Sequence, residues 1–156
     1  MPNPKFSKVG RENYFQMLEI LQAVDQDFVP PLSQRTTLEE YLDNLMDNGH
    51  IISVEVDHKH VGFVGYYCEG ADYEIPFIRF VGVSKEYQGR GLGRQLSEKC
   101  IEDLTERGKK VVGTRTWSTN DSGTALYPRL GFKISDVKKD ERGLGIHSIH
   151  YEMKLV

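Results

Sequence analysis

Apolar residues along the chain change period several times, and each change marks an element. Between residues 11 and 24, Tyr14, Leu18 and Leu21 recur at i, i+4 and i+7, which suits a helix facing a core. Pro30-Pro31 makes residues 25–34 a loop. Leu38, Tyr41, Leu42, Leu45 and Met46 then fill a helical template. Thr37 with Glu40 three residues on reads as a capping box, and Asn48-Gly49 ends the segment. Period two follows: Ile52, Val54 and Val56 alternate with Ser53, Glu55 and Asp57, which predicts a half-buried strand. A turn over residues 57–60 leads to a second strand, Val61 to Cys68. Ile75 to Val83 reads as a third and Lys109 to Trp117 as a fourth. Phe132 to Val137 and His147 to Val156 close as a hairpin with Gly143 and Gly145 in its loop. Leu92, Leu96, Cys100, Ile101 and Leu104 form a helical stripe between the third and fourth strands, and a further helix follows Asn120. With a short first strand at Phe6 to Val9, the order is β-α-α-β-β-β-α-β-α-β-β. It predicts a single α/β domain over residues 1–156, a mixed β-sheet flanked by helices.

One junction in this order carries chemistry. The apolar run ending at Val83 feeds Gln88-Gly89-Arg90-Gly91-Leu92-Gly93, and that turn opens the stripe helix. A strand, a Gly-rich turn and a helix in succession aim backbone N–H groups and the positive end of a helix dipole at one spot. Such a spot suits a pyrophosphate, and Gly91 and Gly93 let it approach the main chain with no Cβ in the way. A P-loop is excluded, because no Gly-x-x-x-x-Gly-Lys-Ser/Thr run exists. A dinucleotide fingerprint fails too, since the sixth residue from Gly89 is Arg94 and from Gly91 is Leu96.

What remains, Gln-x-x-Gly-x-Gly after a strand ending Val81-Gly82-Val83, resembles the coenzyme A pyrophosphate loop of the GNAT N-acetyltransferase superfamily. A second signature lies downstream. Asn120 follows the fourth strand, and seven residues later Tyr127 leads into Leu130-Gly131-Phe132, which is similar to that family's pattern. The resemblance covers residues 75–134 closely and the remainder by element order.

The resemblance implies acetyl-CoA as cosubstrate and an amine as acceptor, with direct attack in a ternary complex. It assigns the pyrophosphate to the amides of Gln88, Gly89, Arg90, Gly91, Leu92, Gly93 and Arg94. The side chains of Arg90 and Arg94 either add charge there or are solvated. Backbone groups of Val81, Gly82 and Val83 are implied for the pantetheine arm and thioester, where two strands part. Asn120 corresponds to a residue that bonds the arm, and an N-cap role is compatible with it. Tyr127 is the implied general acid toward the leaving thiolate, because a phenol near ~10 is protonated at neutral pH. Pro128 directly after it removes a helical N–H, which costs ~3 kcal/mol in mid-helix. The last helix is therefore expected to end near Pro128 or to kink there. For the base that deprotonates the amine, Glu74 is the first candidate, Glu55 the second and Asp72 the third.

Composition narrows the setting. A chain of 156 residues with a formal charge of −3 shows no broad basic footprint, which argues against nucleic acid as a partner. No run approaches the ~18 apolar residues of a membrane span, and residues 1–5 lack a signal-peptide core, so a cytoplasmic protein is expected. Cys68 and Cys100 make no metal-ligand spacing with histidine and read as reduced thiols, with a disulfide left open. No metal is expected. The closing strand His147 to Val156 offers an edge for a homodimer.

The acceptor is the least legible part. Residues 25–31 set Asp25 and Asp27 beside Phe28, and Tyr66, Tyr67, Asp72, Tyr73 and Glu74 give a similar mixture. Carboxylates with aromatic faces suit a small cationic amine, or a Lys or N-terminal amine of a peptide. An ordinary polar loop accounts for them equally. Two alternatives stand beside the N-acetyltransferase: a non-catalytic acyl-CoA-binding or sensing module, and an acyltransferase with another acyl group or a hydroxyl acceptor.

Overall fold

The computed structural model describes residues 3–69 and 75–156. In chain order its elements are β1 (Lys5–Val9), α1 (Tyr14–Val24), α2 (Leu38–Asn48), β2 (His50–Val56), β3 (Lys59–Tyr67), β4 (Phe77–Val83), α3 (Leu92–Glu106), β5 (Val111–Trp117), α4 (Asp121–Leu130), β6 (Lys133–Gly143) and β7 (Ile146–Lys154). The predicted order holds, and the strands form one seven-stranded mixed sheet. Helices cover both faces. Leu92, Leu96, Cys100 and Leu104 of α3 pack with Val54, Val64 and Ile78 on one side. Met17, Ile20 and Leu21 of α1 and Leu42 and Leu45 of α2 pack with Phe63 and Phe80 on the other.

Local chemistry explains most boundaries. The Thr37 hydroxyl caps α2 by accepting from the Glu40 N–H at 3.0 Å. The reciprocal arm differs from a standard capping box, since the Glu40 carboxylate accepts from the neighbouring Thr36 hydroxyl at 3.0 Å. Asp57 and His58 take positive φ angles of 52° and 63° in the β2–β3 hairpin, as a two-residue I′-type turn requires. The turn is thus shorter than expected and His60 belongs to β3.

Two expectations are corrected. β2 is covered on both faces: Ser53 is fully buried and donates to the Gly62 carbonyl at 3.2 Å, with His60 Nδ1 2.6 Å from its hydroxyl. Ser53, on the polar half of the alternation, is satisfied internally, which period alone does not reveal. The strand order is β1-β2-β3-β4-β5-β7-β6, so β7 is inserted between β5 and β6. The closing strand is therefore internal, and β1 and β6 are the edges.

Pro128 lies inside α4, in its last turn. The helix ends just beyond in a Schellman arrangement: Phe132 N–H donates to Tyr127 O at 3.0 Å and Gly131 N–H to Pro128 O at 3.1 Å. Gly131 supplies the left-handed φ of 109° this needs. The accompanying apolar contact is Tyr127 against Phe132, with ring centroids 5.4 Å apart. A helix ending near Pro128 is thus the outcome, and the cap holds Tyr127 by both backbone and ring.

Candidate active site

The sheet opens at its centre. β4 and β5 are parallel neighbours, yet their register runs only Phe77↔Gly113 and Ile78↔Thr114. Further along, Val81, Gly82 and Val83 pair with Val64, Phe63 and Gly62 of β3 and have no register partner on β5. The backbone on that side of β4 faces a cleft of about 700 Å³.

The glycine turn closes one end of the cleft. Gln88 reaches back and donates from Nε2 to the Val83 carbonyl at 2.8 Å, fixing the turn to the end of β4. Gly89 and Gly91 have φ angles of 79° and 78°, and a Cβ on either would meet nothing within 4 Å. These positions demand glycine for backbone conformation and leave the approach to the main chain open. Gly91 caps α3, whose first intrahelical bond runs from Gln95 N–H to Gly91 O at 3.0 Å. The amides of Leu92, Gly93 and Arg94 precede that bond and have no helical acceptor. Gln88, Gly89, Gly91, Leu92, Gly93 and Arg94 all line the cleft. Arg90 does not: its guanidinium donates to the Glu86 carbonyl at 3.3 Å and lies over the Tyr87 ring.

The opposite wall comes from β5 and α4. Asn120 caps α4, accepting from Gly123 N–H at 3.2 Å and donating to Thr116 Oγ1 at 2.8 Å. Its side chain is engaged in the cap while it lines the cleft. Tyr127 is 7% exposed, its ring set against Phe132 and Tyr151. Burial pushes its pKa up to about 12, partly offset by the nearby Thr114 hydroxyl. Thr114 in turn donates to the Ile78 carbonyl at 3.0 Å. Ile78 and Thr114 are the last paired residues of β4 and β5, so the phenol sits at the fork where the strands part.

Other candidates fall elsewhere. Glu74 and Asp72 lie outside the described residues, as does Tyr73. Glu55 is 3.3 Å from His60 and does not line the cleft. Tyr66 is buried and donates to Asp103 at 2.7 Å, and Tyr67 bonds to Asn44, so neither tyrosine reaches an acceptor. Asp25 is buried and accepts from Ser33 N–H at 2.9 Å, which ties its loop in place. Asp27 of that loop does line the cleft. So do Phe28 and Trp117, whose centroids are 5.0 Å apart; Trp117 is a site residue that no local motif marks. Cys68 and Cys100 are free thiols with pKa values raised by burial, which suits packing rather than nucleophilic chemistry. Among the described residues, no cluster of three or more His, Cys, Asp or Glu could hold a metal, and no helix is long and apolar enough to cross a membrane.

Residues 16–132 match the model of the acetyltransferase (GNAT) family. The chain belongs to the GNAT family. An uncharacterized N-acetyltransferase of Methanocaldococcus jannaschii is 34% identical over 89 residues, 54% of this chain and 39% of that protein. The ribosomal protein bS18-alanine N-acetyltransferase of Escherichia coli is 33% identical over 60 residues, 38% of this chain and 40% of that one. The matched stretch thus spans about two fifths of the length of these curated relatives. At the level of fold the likeness is wider. The crystal structure of the E. coli ribosomal-protein-S18-alanine N-acetyltransferase superposes with a TM-score of 0.81 at 20% identity, covering 98% of this chain and 94% of that one. A proposed acetyltransferase from Salmonella typhimurium, determined with its cofactor acetyl-CoA, gives 0.79 at 18% identity over 99% and 95% of the two chains.

Proposed function

We propose that this GNAT chain is an acetyl-CoA-dependent N-acetyltransferase acting on a primary amine by direct attack in a ternary complex. The observation that carries the reading is the shared cleft. The fork between β4 and β5, the Tyr127 hydroxyl at its apex and the glycine-opened start of α3 face one space. Open main chain at Gly89 and Gly91 fits a pyrophosphate, and the β4 backbone lacking β5 partners fits an extended amide-bearing arm. Acetyl-CoA would bring the acetyl group as an activated thioester.

The chain's residues would then have separate tasks. Amides of Gly89 and of Gly91 to Arg94 hold the pyrophosphate, and backbone of Val81, Gly82 and Val83 orients the arm and its carbonyl. Asn120 sets the start of α4 and so the depth of Tyr127. In the net exchange a C–N bond forms and the thioester C–S bond breaks. One proton of the ammonium goes to a base and a second passes from nitrogen to sulfur. Glu74 and Asp27 are the carboxylates proposed for the first of these protons. Tyr127 serves the sulfur. Full transfer from a phenol near 12 to a thiolate near ~8.5 is uphill by about 5 kcal/mol. The phenol therefore acts foremost as a hydrogen-bond donor to the developing negative charge. A mere acyl-CoA sensor has no use for a donor at that fork.

Turnover of acetyl-CoA with an amine panel, compared between wild type and Tyr127→Phe, tests this. Lower kcat with unchanged acetyl-CoA affinity supports the assignment. Equal kcat removes Tyr127 from the chemistry.

A further inference from the structure

A second cavity of about 90 Å³ shares Phe28 and Trp117 with the cofactor cleft. Its lining is cationic: Arg35 from the loop before α2, Arg79 of β4, Arg115 of β5 and Arg142 of β6 all face it. No carboxylate is among the described lining residues. In a chain of net charge −3, this concentration of guanidinium groups is local rather than a reflection of composition.

Arg142 and Arg115 contact neutral groups and rings. Arg142 donates from Nε to Ser148 Oγ at 2.8 Å and from Nη1 to the Val29 carbonyl at 3.0 Å, and its guanidinium lies 5.8 Å from the Trp117 centroid. Arg115 lies 5.8 Å from the Phe77 centroid and Arg79 4.6 Å from that of Tyr41. Among the described residues, Arg35, Arg115 and Arg142 enter no ion pair. Burial and the charges of Arg115 and Arg35 hold Arg142 down to about 10, against the smaller opposing effect of the Glu141 carboxylate. Gathering like charges in a half-buried pocket opposes folding, and an oxyanion relieves that repulsion through charge-assisted bonds. The shared wall sets such an anion beside the place where the amine must enter the cofactor cleft.

We propose that this pocket binds an oxyanion of the acceptor, a carboxylate or a phosphate, so that the substrate is an anionic amine rather than the cationic one expected from the acidic loop residues. The proposal rests on the N-acetyltransferase reading. It gives the arginines a role in acceptor specificity, separate from the chemistry at Tyr127.

Two measurements test it. With the protein saturated in CoA, so that the cofactor's own phosphate positions are filled, inorganic phosphate and malonate are titrated calorimetrically against wild type, Arg115→Gln and Arg35→Gln. Arg35 is exposed, so its variant keeps the test interpretable if Arg115→Gln folds poorly. Saturable binding that each substitution weakens about 10-fold or more is expected, and the tighter anion indicates whether phosphate or carboxylate is the natural group. Turnover is then compared for amino acids and aminoalkyl phosphates, their carboxamide and alcohol counterparts, and spermidine. The anionic acceptors should lead by at least about 10-fold in kcat/KM, with Arg115→Gln raising their KM and leaving acetyl-CoA affinity unchanged. Neutral amines or spermidine turning over as well as the anionic series, with KM indifferent to Arg115→Gln, would overturn the inference and leave the enzyme intact. Absence of acetyl transfer to every amine counts against the enzyme reading instead. The phosphate and malonate titrations then decide the pocket alone, and no binding there overturns it.

Discussion

In the proposed reaction Tyr127 carries the donor role, and its surroundings decide what it can do. Burial among Phe132 and Tyr151 raises its pKa to about 12, so the phenol stays protonated across the working range. The Tyr127→Phe variant should lose roughly 100-fold in kcat, the lower end of the range for a proton-transfer group, because the pKa mismatch leaves hydrogen-bond donation as its main contribution. Steady-state kinetics with acetyl-CoA affinity measured in parallel checks this. The raised value also sets a sign for pH. Loss of activity from ionising Tyr127 should appear only above about pH 11, so a basic limb centred near ~10 in kcat would contradict a buried phenol. Tyr127 and Asn120 were legible in the sequence because a spacing of seven residues in one short segment survives folding unchanged. Arg115 and Arg142 were not, since nothing local marks two arginines on strands that become neighbours only through β7.

At the scale of elements, two devices hold the site's walls. The first is the cap of α4. Gly131 takes φ 109°, and a Cβ there would come within 3.1 Å of Met153 Sδ. Gly131→Ala should cost about 1–2 kcal/mol from backbone strain and shift Tyr127, lowering both Tm and kcat. A variant that lost stability with kcat intact would separate the cap from the chemistry. The second is Asp103 of α3, which accepts from Lys8 of β1 at 2.7 Å, from Tyr66 of β3 at 2.7 Å and from Arg107 at 2.9 Å. Burial alone would raise its pKa, but these three donors together hold it at about 2. A carboxylate depressed in the folded state stabilises it above the unfolded value. That contribution, on the order of 2 kcal/mol, is lost as pH falls from about 4 to about 2. Denaturant melts across that window should show the loss in wild type and its absence in Asp103→Asn. Sequence periodicity located α3 and its buried stripe. It could not show Asp103, because a buried carboxylate on a helix is recognised only by the partners that two distant strands bring to it.

For the whole molecule, the element order read from the sequence and the GNAT fold agree, while sheet order was only partly legible. A hairpin at the end of a chain can add to a sheet by either strand, and polarity alone does not choose between them. β7 pairs with β5 along seven positions, Val111↔Lys154 through Trp117↔Ser148, which places β6 at the edge. That choice carries Arg142 across to the Phe28–Trp117 wall and so builds the second cavity. The Gln88–Gly93 turn, by contrast, was legible in full, because strand, glycines and helix start are consecutive. The proposed cofactor site stands on that turn. Its most direct test is isothermal titration of acetyl-CoA into wild type, Gly91→Glu and Gly108→Glu. Gly91 and Gly108 share a φ near 78°, at 78° and 77°, and both face open space, so the two substitutions impose matched backbone strain at opposite ends of α3. Binding by wild type and Gly108→Glu is expected, with a loss of about 100-fold or more in Gly91→Glu, equivalent to about 2.7 kcal/mol. Equal binding by all three proteins, or none by the folded wild type, would contradict it.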